Sequence, residues 1–226
     1  MYHYGENLIS VGFVVGLDYQ NPTLSPYNEF QRFKHHPSMK EIFENGRCIS
    51  YGARSLSEGG YFSIPKLSFP GGVLVGDSAG FLNVPKIKGT HTAMKSGMIA
   101  AEAVYDAILN NSTEASTYDE KFKNSWLHKE LYETRNIHSY FKYGLIPGTI
   151  LSGIDQLIFR GKTFWNFHDK KQDHEKTLEI SKVKKIEYPK PDGKISFDIL
   201  TNLQRSGTNH DHDQPAHLVL RVNKKN

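Results

Sequence analysis

The stretch 71–103 constrains the chain more than any other. It runs Gly71-Gly72-Val73-Leu74-Val75-Gly76-Asp77-Ser78-Ala79-Gly80, passes Asn83-Val84-Pro85, and continues Gly89-Thr90-His91-Thr92-Ala93-Met94-Lys95-Ser96-Gly97 into an Ala-rich segment. The apolar run 72–76 predicts a short strand. Residues 90–110 predict a long helix with Met94, Met98, Ala101, Val104, Ala107 and Ile108 on its apolar face. Gly76 lets a ligand approach the backbone where the strand ends. Asp77 then offers a carboxylate at the C-terminal end of the strand, where α/β folds place ligands. Such a carboxylate accepts hydrogen bonds from the hydroxyls of a sugar-like chain. Gly89 frees backbone N–H groups at the helix start, and these favour negative charge. Gly97 costs roughly 1 kcal/mol against Ala inside a helix, which a close helix–sheet contact would justify. Strand-Gly-Asp alone fits any β-turn-α unit. The full series is more specific and points to a flavin, with Asp77 on its ribitol and the helix start at a diphosphate or reduced ring.

The rest of the chain is read more coarsely. Residues 8–17 are apolar and β-branched and predict a buried strand, which opens so near the first residue that something upstream is expected to pair with it. Residues 29–43 carry helical spacing, with Pro37 starting a second segment. Residues 47–56 and 195–200 read as strands, and 118–135 as a second helix. Residues 168–186 form a charged linker, and no internal repeat is present.

Of the 226 residues, 38% are hydrophobic and 23% charged, enough for a core in one or two domains. The net charge of +4 is a mild basic excess, and the lysines of 170–190 are interleaved with acids. That pattern suits a solvated linker and argues against a nucleic-acid partner. An anionic membrane surface is compatible with it. Cys48 is the one cysteine, so the chain holds neither an internal disulfide nor four cluster thiolates. No signal or transit peptide is visible. No Ser–His–Asp or Cys–His arrangement stands out, and redox chemistry would belong to a cofactor.

The segment 71–103 resembles the second FAD-binding motif of glutathione-reductase-type flavoproteins. In detail the chain resembles the electron transfer flavoprotein–ubiquinone oxidoreductase family. The similar runs include Val14-Val15-Gly16-Leu17-Asp18-Tyr19-Gln20-Asn21-Pro22, Glu29-Phe30-Gln31-Arg32, Lys34-His35-His36-Pro37, Ile64-Pro65-Lys66-Leu67 and residues 83–97. They continue with Lys123-Asn124-Ser125-Trp126, residues 186–193 and Ser206-Gly207-Thr208-Asn209-His210, in family order over nearly the whole chain. The resemblance implies an enzyme on the matrix face of the mitochondrial inner membrane, held monotopically. Such an enzyme takes electrons from reduced electron transfer flavoprotein and passes them to ubiquinone through FAD and a [4Fe–4S] cluster. The implied cofactor-binding residues are Gly76, Asp77, Gly89, Thr90, His91 and Thr92.

The expected fold class is α+β: a partial glutathione-reductase-type FAD-binding fold with a quinone-binding sheet and an interfacial helix. Residues 1–70 would belong to the quinone-binding sheet domain and 71–138 to the second half of the FAD domain. Residues 139–168 would form the membrane segment, and 169–226 a linker towards the iron–sulfur domain. The family departs from this chain in three places. The GxGxxG motif for the ADP half is missing from 1–70, the paired glycines near the quinone precede the segment matching Met1, and the cluster ligands lie beyond Leu220. The chain therefore reads as an internal fragment whose tail, 221–226, departs from the family. The alternative is a non-catalytic truncated product acting only as a membrane-surface or interaction piece. A flavin-dependent isoprenoid reductase shares the Gly-Asp motif, but the runs at 14–22 and 123–126 argue against it.

Residues 144–160 place Leu145, Ile146, Ile150, Leu151, Ile154, Leu157 and Ile158 between aromatic flanks. The run is shorter than the ~20 apolar residues of a membrane span and carries Pro147 and Asp155. A buried core helix and a helix in the membrane interface both fit, and the resemblance favours the interface. His210, His212 and His217 alternate with acids, and a polar loop is the favoured reading over a metal site. His35 and His36 are read in the same way. His91 either stabilises a reduced flavin or caps and packs the helix.

Overall fold

The structure, a computed structural model, describes residues 1–167 and 171–216. In chain order these form β1 (Tyr2–Tyr4), β2 (Leu8–Ser10), α1 (Pro26–Lys34), α2 (Pro37–Glu44), β3 (Ser68–Phe69), β4 (Gly72–Val73), α3 (Thr90–Leu109), α4 (Tyr118–Lys123), α5 (Trp126–Glu133), α6 (Ile137–Tyr140), α7 (Leu145–Gly153) and α8 (Ile199–Arg205). A π-helical turn, Ile154–Phe159, follows α7. The sheets are two antiparallel pairs, β1 with β2 and β3 with β4. Helices with small sheets are compatible with the α+β class. The chain divides into two compact units, Met1–Arg54 with Lys171–Asn226, and Ser55–Lys170.

In the first unit, the Ser25 hydroxyl accepts from the Asn28 N–H and Pro26 opens α1, a favourable helix start. Pro37 opens α2 as its position predicts. Polar contacts tie α1 to the C-terminal part of the unit. The Tyr27 hydroxyl donates to Phe197 O (2.7 Å) and accepts from Asn202 Nδ2 (2.9 Å). Lys34 is buried, with Nζ 5.4 Å from the Phe30 ring centroid and 5.2 Å from that of Phe197. Burial pushes its pKa down, and the rings offset part of the lost hydration.

Three strand expectations fail here. Of 8–17 only Leu8–Ser10 pairs, with Tyr2–Tyr4, and both Leu8 and Ile9 are exposed. A two-stranded hairpin offers no second layer to bury them, and Gly12 and Gly16 interrupt the run. Residues 47–56 form no strand. Residues 195–200 form no strand: 195–198 are irregular, and Ile199 and Leu200 open α8, whose start is capped by the Asp198 carboxylate accepting from the Thr201 N–H.

The second unit holds the main core. Leu67, Phe81, Ile99, Tyr118, Phe122 and Leu127 are buried together, and the rings of Phe81 and Phe122 stack at 4.9 Å. The predicted strand 72–76 shortens to β4, because the chain turns at Gly76 (φ +58) into a 3-10 turn, Gly76–Ala79. The predicted helix 118–135 is two helices, since the Ser125 hydroxyl accepts from the His128 N–H and starts α5. The long helix forms as expected, but its buried face is not the predicted one. Thr92, Ser96, Ile99, Ala100 and Ala103 face inward, while Met94, Met98 and Ile108 are exposed. The small residues win because the turn at Gly76 approaches closely. A Cβ added at Gly76 would lie 3.0 Å from Ala93 Cβ, and Gly76 N donates to Ser96 Oγ (2.9 Å).

After α7 the chain returns through Arg160 (φ +52) and Gly161 (φ +72). Arg135 is buried and holds this return. Its Nη1 donates to Gly161 O (2.7 Å), its Nη2 to Thr163 O (2.7 Å) and its Nε to Asn166 Oδ1 (2.7 Å). A Cβ at Gly161 would collide with the Glu133 main chain at a φ that side chains rarely adopt. Gly161→Ala is therefore expected to destabilise the chain by about 2–4 kcal/mol. Urea unfolding monitored by circular dichroism checks this, and an unchanged midpoint would refute the tight return.

Candidate functional site

The proposed flavin residues all lie in the second unit. Asp77 is exposed, and its Oδ1 accepts from the Ser57 N–H (3.2 Å). Gly76, directly before it, packs on α3 one turn inside the helix start, so the carboxylate and the head of α3 are carried by one packed unit. No side chain caps α3. Gly89 occupies the N-cap position, and the Thr92 hydroxyl turns back to donate to Gly89 O (2.8 Å). Thr92 is buried, and Thr90 and His91 are more exposed. An uncapped first turn leaves backbone N–H groups for an anionic or electron-rich ligand. These residues fit the diphosphate–flavin end of a dinucleotide.

His91 is committed elsewhere. Its Nε2 lies 2.8 Å from Glu130 Oε1, and its ring stacks on Trp126 at 5.9 Å and 4°. Glu130 also accepts from Asn83 Nδ2 (2.6 Å) and Lys86 Nζ (3.2 Å). One carboxylate on α5 thus gathers the 83–86 turn and the first turn of α3. The sequence offered no signal for Glu130, 39 residues beyond its partner His91. Asn83 and Lys86 fall in the run 83–97, but nothing in that run names their acceptor.

The apolar segment stands at the other end of α5 and α6. Leu145, Ile146, Ile150, Leu157 and Ile158 are exposed, Leu157 at 82%, and so is the neighbouring Phe164 at 90%. Ile154 is at the margin of exposure and Leu151 is half-buried. Asp155 faces inward at 1% exposure, where Oδ2 accepts from the Tyr140 hydroxyl (2.7 Å). Burial pushes the Tyr140 phenol up to about 12, so it stays a donor. Trp165 Nε1 donates to the same Tyr140 oxygen (2.7 Å). No helix among the described residues is long and apolar enough to cross a membrane.

Among the described residues no group of His, Cys, Asp and Glu could hold an ion. His210 and His212 are exposed, and His217 and the tail 221–226 lie outside the described residues. In the first unit His35 Nε2 lies 2.8 Å from Ser196 Oγ, and His36 accepts from Ser38 N at the start of α2.

Burial raises the pKa of Glu130, but hydrogen bonds from His91, Asn83 and Lys86 outweigh it and leave the carboxyl below its ordinary value. A depressed carboxyl contributes stability above its unfolded-state pKa, about 4.3, and loses it as pH falls through the lower folded value. Glu130→Gln is expected to cost about 1 kcal/mol at neutral pH, after allowing for solvent screening. That difference should shrink below about pH 4. Denaturant titrations of both proteins across that range check it. A gap that does not change with pH would refute the ionic account.

Comparison with known proteins places the chain in a family. The family model "ETF-QO, ubiquinone-binding" matches residues 1–56, and "Electron transfer flavoprotein-ubiquinone oxidoreductase, 4Fe-4S" matches 193–226, through the tail that was expected to depart. A Saccharomyces cerevisiae protein described as a probable electron transfer flavoprotein-ubiquinone oxidoreductase, mitochondrial, is 53% identical over 96% of this chain. Its Sus scrofa and Oryza sativa counterparts are 53% identical over 98% of the chain. This chain spans 38% of the length of each of the three. With that identity over almost all of its residues, the chain belongs to the electron transfer flavoprotein–ubiquinone oxidoreductase family.

Proposed function

We propose that this chain supplies the flavin end of an FAD site and a lipid-facing surface to an oxidoreductase that passes electrons from reduced electron transfer flavoprotein to ubiquinone. The relatives' names carry the partners and the mitochondrial setting. The observation that carries the flavin reading is the pairing of exposed Asp77 with the uncapped head of α3, joined through Gly76. On this reading residues 71–138 are the second half of a glutathione-reductase-type FAD domain. Asp77 accepts from ribitol hydroxyls, while the N–H groups of 90–92 face the diphosphate and flavin. FAD, when bound, supplies the redox chemistry. Glu130 holds His91 and the 83–86 turn in place beside it.

The [4Fe–4S] cluster does not fit the residues present. The span 193–226 that matches the cluster domain contains no cysteine, and Cys48 lies outside it. No electron step through a cluster is assigned to this chain. The exposed apolar residues of 145–158 also suit a second reading, in which the chain acts only as a membrane-surface or interaction piece. The visible spectrum of the purified chain separates the two, since bound flavin would refute the second.

The exposed apolar residues of 145–158, with the exposed Phe164 near them in the chain, support attachment to one leaflet of a membrane, and the family resemblance supplies the matrix face of the inner membrane as its place. Leu157→Asp with Ile158→Asp, at two of the most exposed positions, is expected to lower liposome co-sedimentation by about tenfold or more, because each apolar side chain buried in lipid contributes about 1.5–3 kcal/mol. Equal sedimentation of variant and parent would overturn the lipid surface. For the flavin reading, Ala at the position matching Asp77 in the full-length yeast relative is expected to weaken flavin retention about tenfold. Undiminished flavin after dialysis counts against the role of Asp77.

A further inference from the structure

We propose that the lipid-facing surface of the second unit selects anionic phospholipid headgroups, through Lys142, Arg160 and Lys162 at the two ends of its apolar helix. This rests on the lipid surface proposed for 145–158. α7 and the π-helical turn after it run from Leu145 to Phe159, about 20 Å. That is too short to cross the ~30 Å hydrocarbon core and suits a rod lying along one leaflet. The three cations stand where the rod ends. Lys142 precedes Leu145 by less than a turn, Arg160 follows Phe159 directly with φ +52, and Lys162 comes next but one. All three are exposed.

Local packing keeps these charges beside apolar side chains. Lys142 Nζ lies 5.2 Å from the Tyr143 ring centroid and 5.8 Å from that of Phe167, so the ammonium rides over two aromatic faces. Exposure alternates along the return. Gly161 and Thr163 are buried, where Arg135 takes both carbonyls, while Lys162 and Phe164 are exposed. Lys162 therefore shares a side with Phe164, the most exposed large apolar side chain among the described residues. Long cationic side chains can lay their stems on such a surface and keep their heads at headgroup depth. The lack of acids singles these cations out. Elsewhere exposed lysines pair, Lys40 with Glu44, Lys66 with Glu114, Lys182 with Glu179 and Lys185 with Glu187. Among the described residues Lys142, Arg160 and Lys162 join no ion pair. Between His138 and Phe167 the chain holds one acid, Asp155, and it is turned inward onto the Tyr140 hydroxyl. Glu133 lies against Gly161 through its main chain, and its carboxylate pairs with none of the three. Exposed apolar side chains flanked by unpaired cations match a bilayer that carries negative charge, where each cation adds attraction to the insertion of the apolar side chains.

The test is co-sedimentation of the whole 226-residue chain with vesicles of phosphatidylcholine alone, and of phosphatidylcholine with one part in four phosphatidylglycerol. Partitioning is expected to be about tenfold or more tighter on the anionic vesicles. It should fall towards the neutral value as sodium chloride is raised. Lys142→Gln, Arg160→Gln and Lys162→Gln together are expected to remove most of that preference and to leave binding to neutral vesicles as in the parent. If the triple variant does not fold, Lys162→Gln alone is expected to cost about fivefold on anionic vesicles. Lys182→Gln, Lys184→Gln and Lys185→Gln remove the same charge at exposed positions of the first unit and are expected to keep the preference. Equal binding to both compositions overturns the anionic selectivity and leaves the lipid surface standing. A first-unit variant that loses as much as the triple variant also overturns it, since net charge alone would then account for the attraction. Binding to neither composition overturns the lipid surface and this proposal with it.

Discussion

The second unit depends on one buried guanidinium. Arg135 is 4% exposed, and its donors reach the main chain at Tyr132, Gly161 and Thr163 and the side chain of Asn166. The plane lies 4.0 Å over the Tyr132 ring. Taking a full charge out of water costs several kcal/mol, and only a planar fork with five donors meets so many acceptors at once. The neighbouring Asn136 adds two bonds, to Thr163 Oγ1 and Trp165 O, and accepts from Phe167 N. The returning segment 161–167 is thereby fixed to α5 and α6. That footing lets 145–158 stand with its apolar side chains in the open instead of folding onto the unit.

Glu130 does the complementary work at the start of the same helical stretch. It lies five residues before Arg135, yet it gathers the 83–86 turn and the head of α3. A helix that begins with the Ser125 cap therefore carries the anchor of the α3 head and leads into the anchor of the exposed apolar segment. Neither anchor touches the apolar core by chemistry alone. Each is a charge whose hydrogen bonds, once made, define where a surface feature sits.

The parts of the fold that follow from local rules were legible in the sequence. Pro37 restarts a helix, and Thr90–Leu109 forms where its spacing places it. The family could be read from runs such as 14–22 and 83–97, and the comparisons bear it out. What failed depended on packing or on caps. Residues 195–200 look like a strand, but the Asp198 side chain takes the Thr201 N–H and α8 opens at Ile199. The inward face of α3 differs from the apolar face that its helical spacing predicts. A close approach selects Ser96, Ala100 and Ala103 over Met94 and Met98. Glu130 and Arg135 were invisible for a different reason, since their partners lie 26–47 residues away and no periodicity encodes such pairs.

The absence of a cap on α3 has a structural cause that bears on its use. Ser25, Ser125 and Asp198 cap α1, α5 and α8 with side-chain oxygens. Gly89 gives the longest helix none. A Cβ at that position would come within 3.0 Å of Leu82 Cδ1, in the turn that Glu130 holds through Asn83. A capping residue would need the Leu82 side chain to give by a few tenths of an ångström, beside a turn that Asn83 bridges through Lys88. The packing of Leu82 against that position therefore suits a glycine, which leaves the helix head bare. A capping side chain is usually worth about 1 kcal/mol, and a bound diphosphate or flavin edge would restore that interaction from outside the chain. The bare head at Gly89 thus leaves an interaction open that the flavin proposed beside Asp77 would fill.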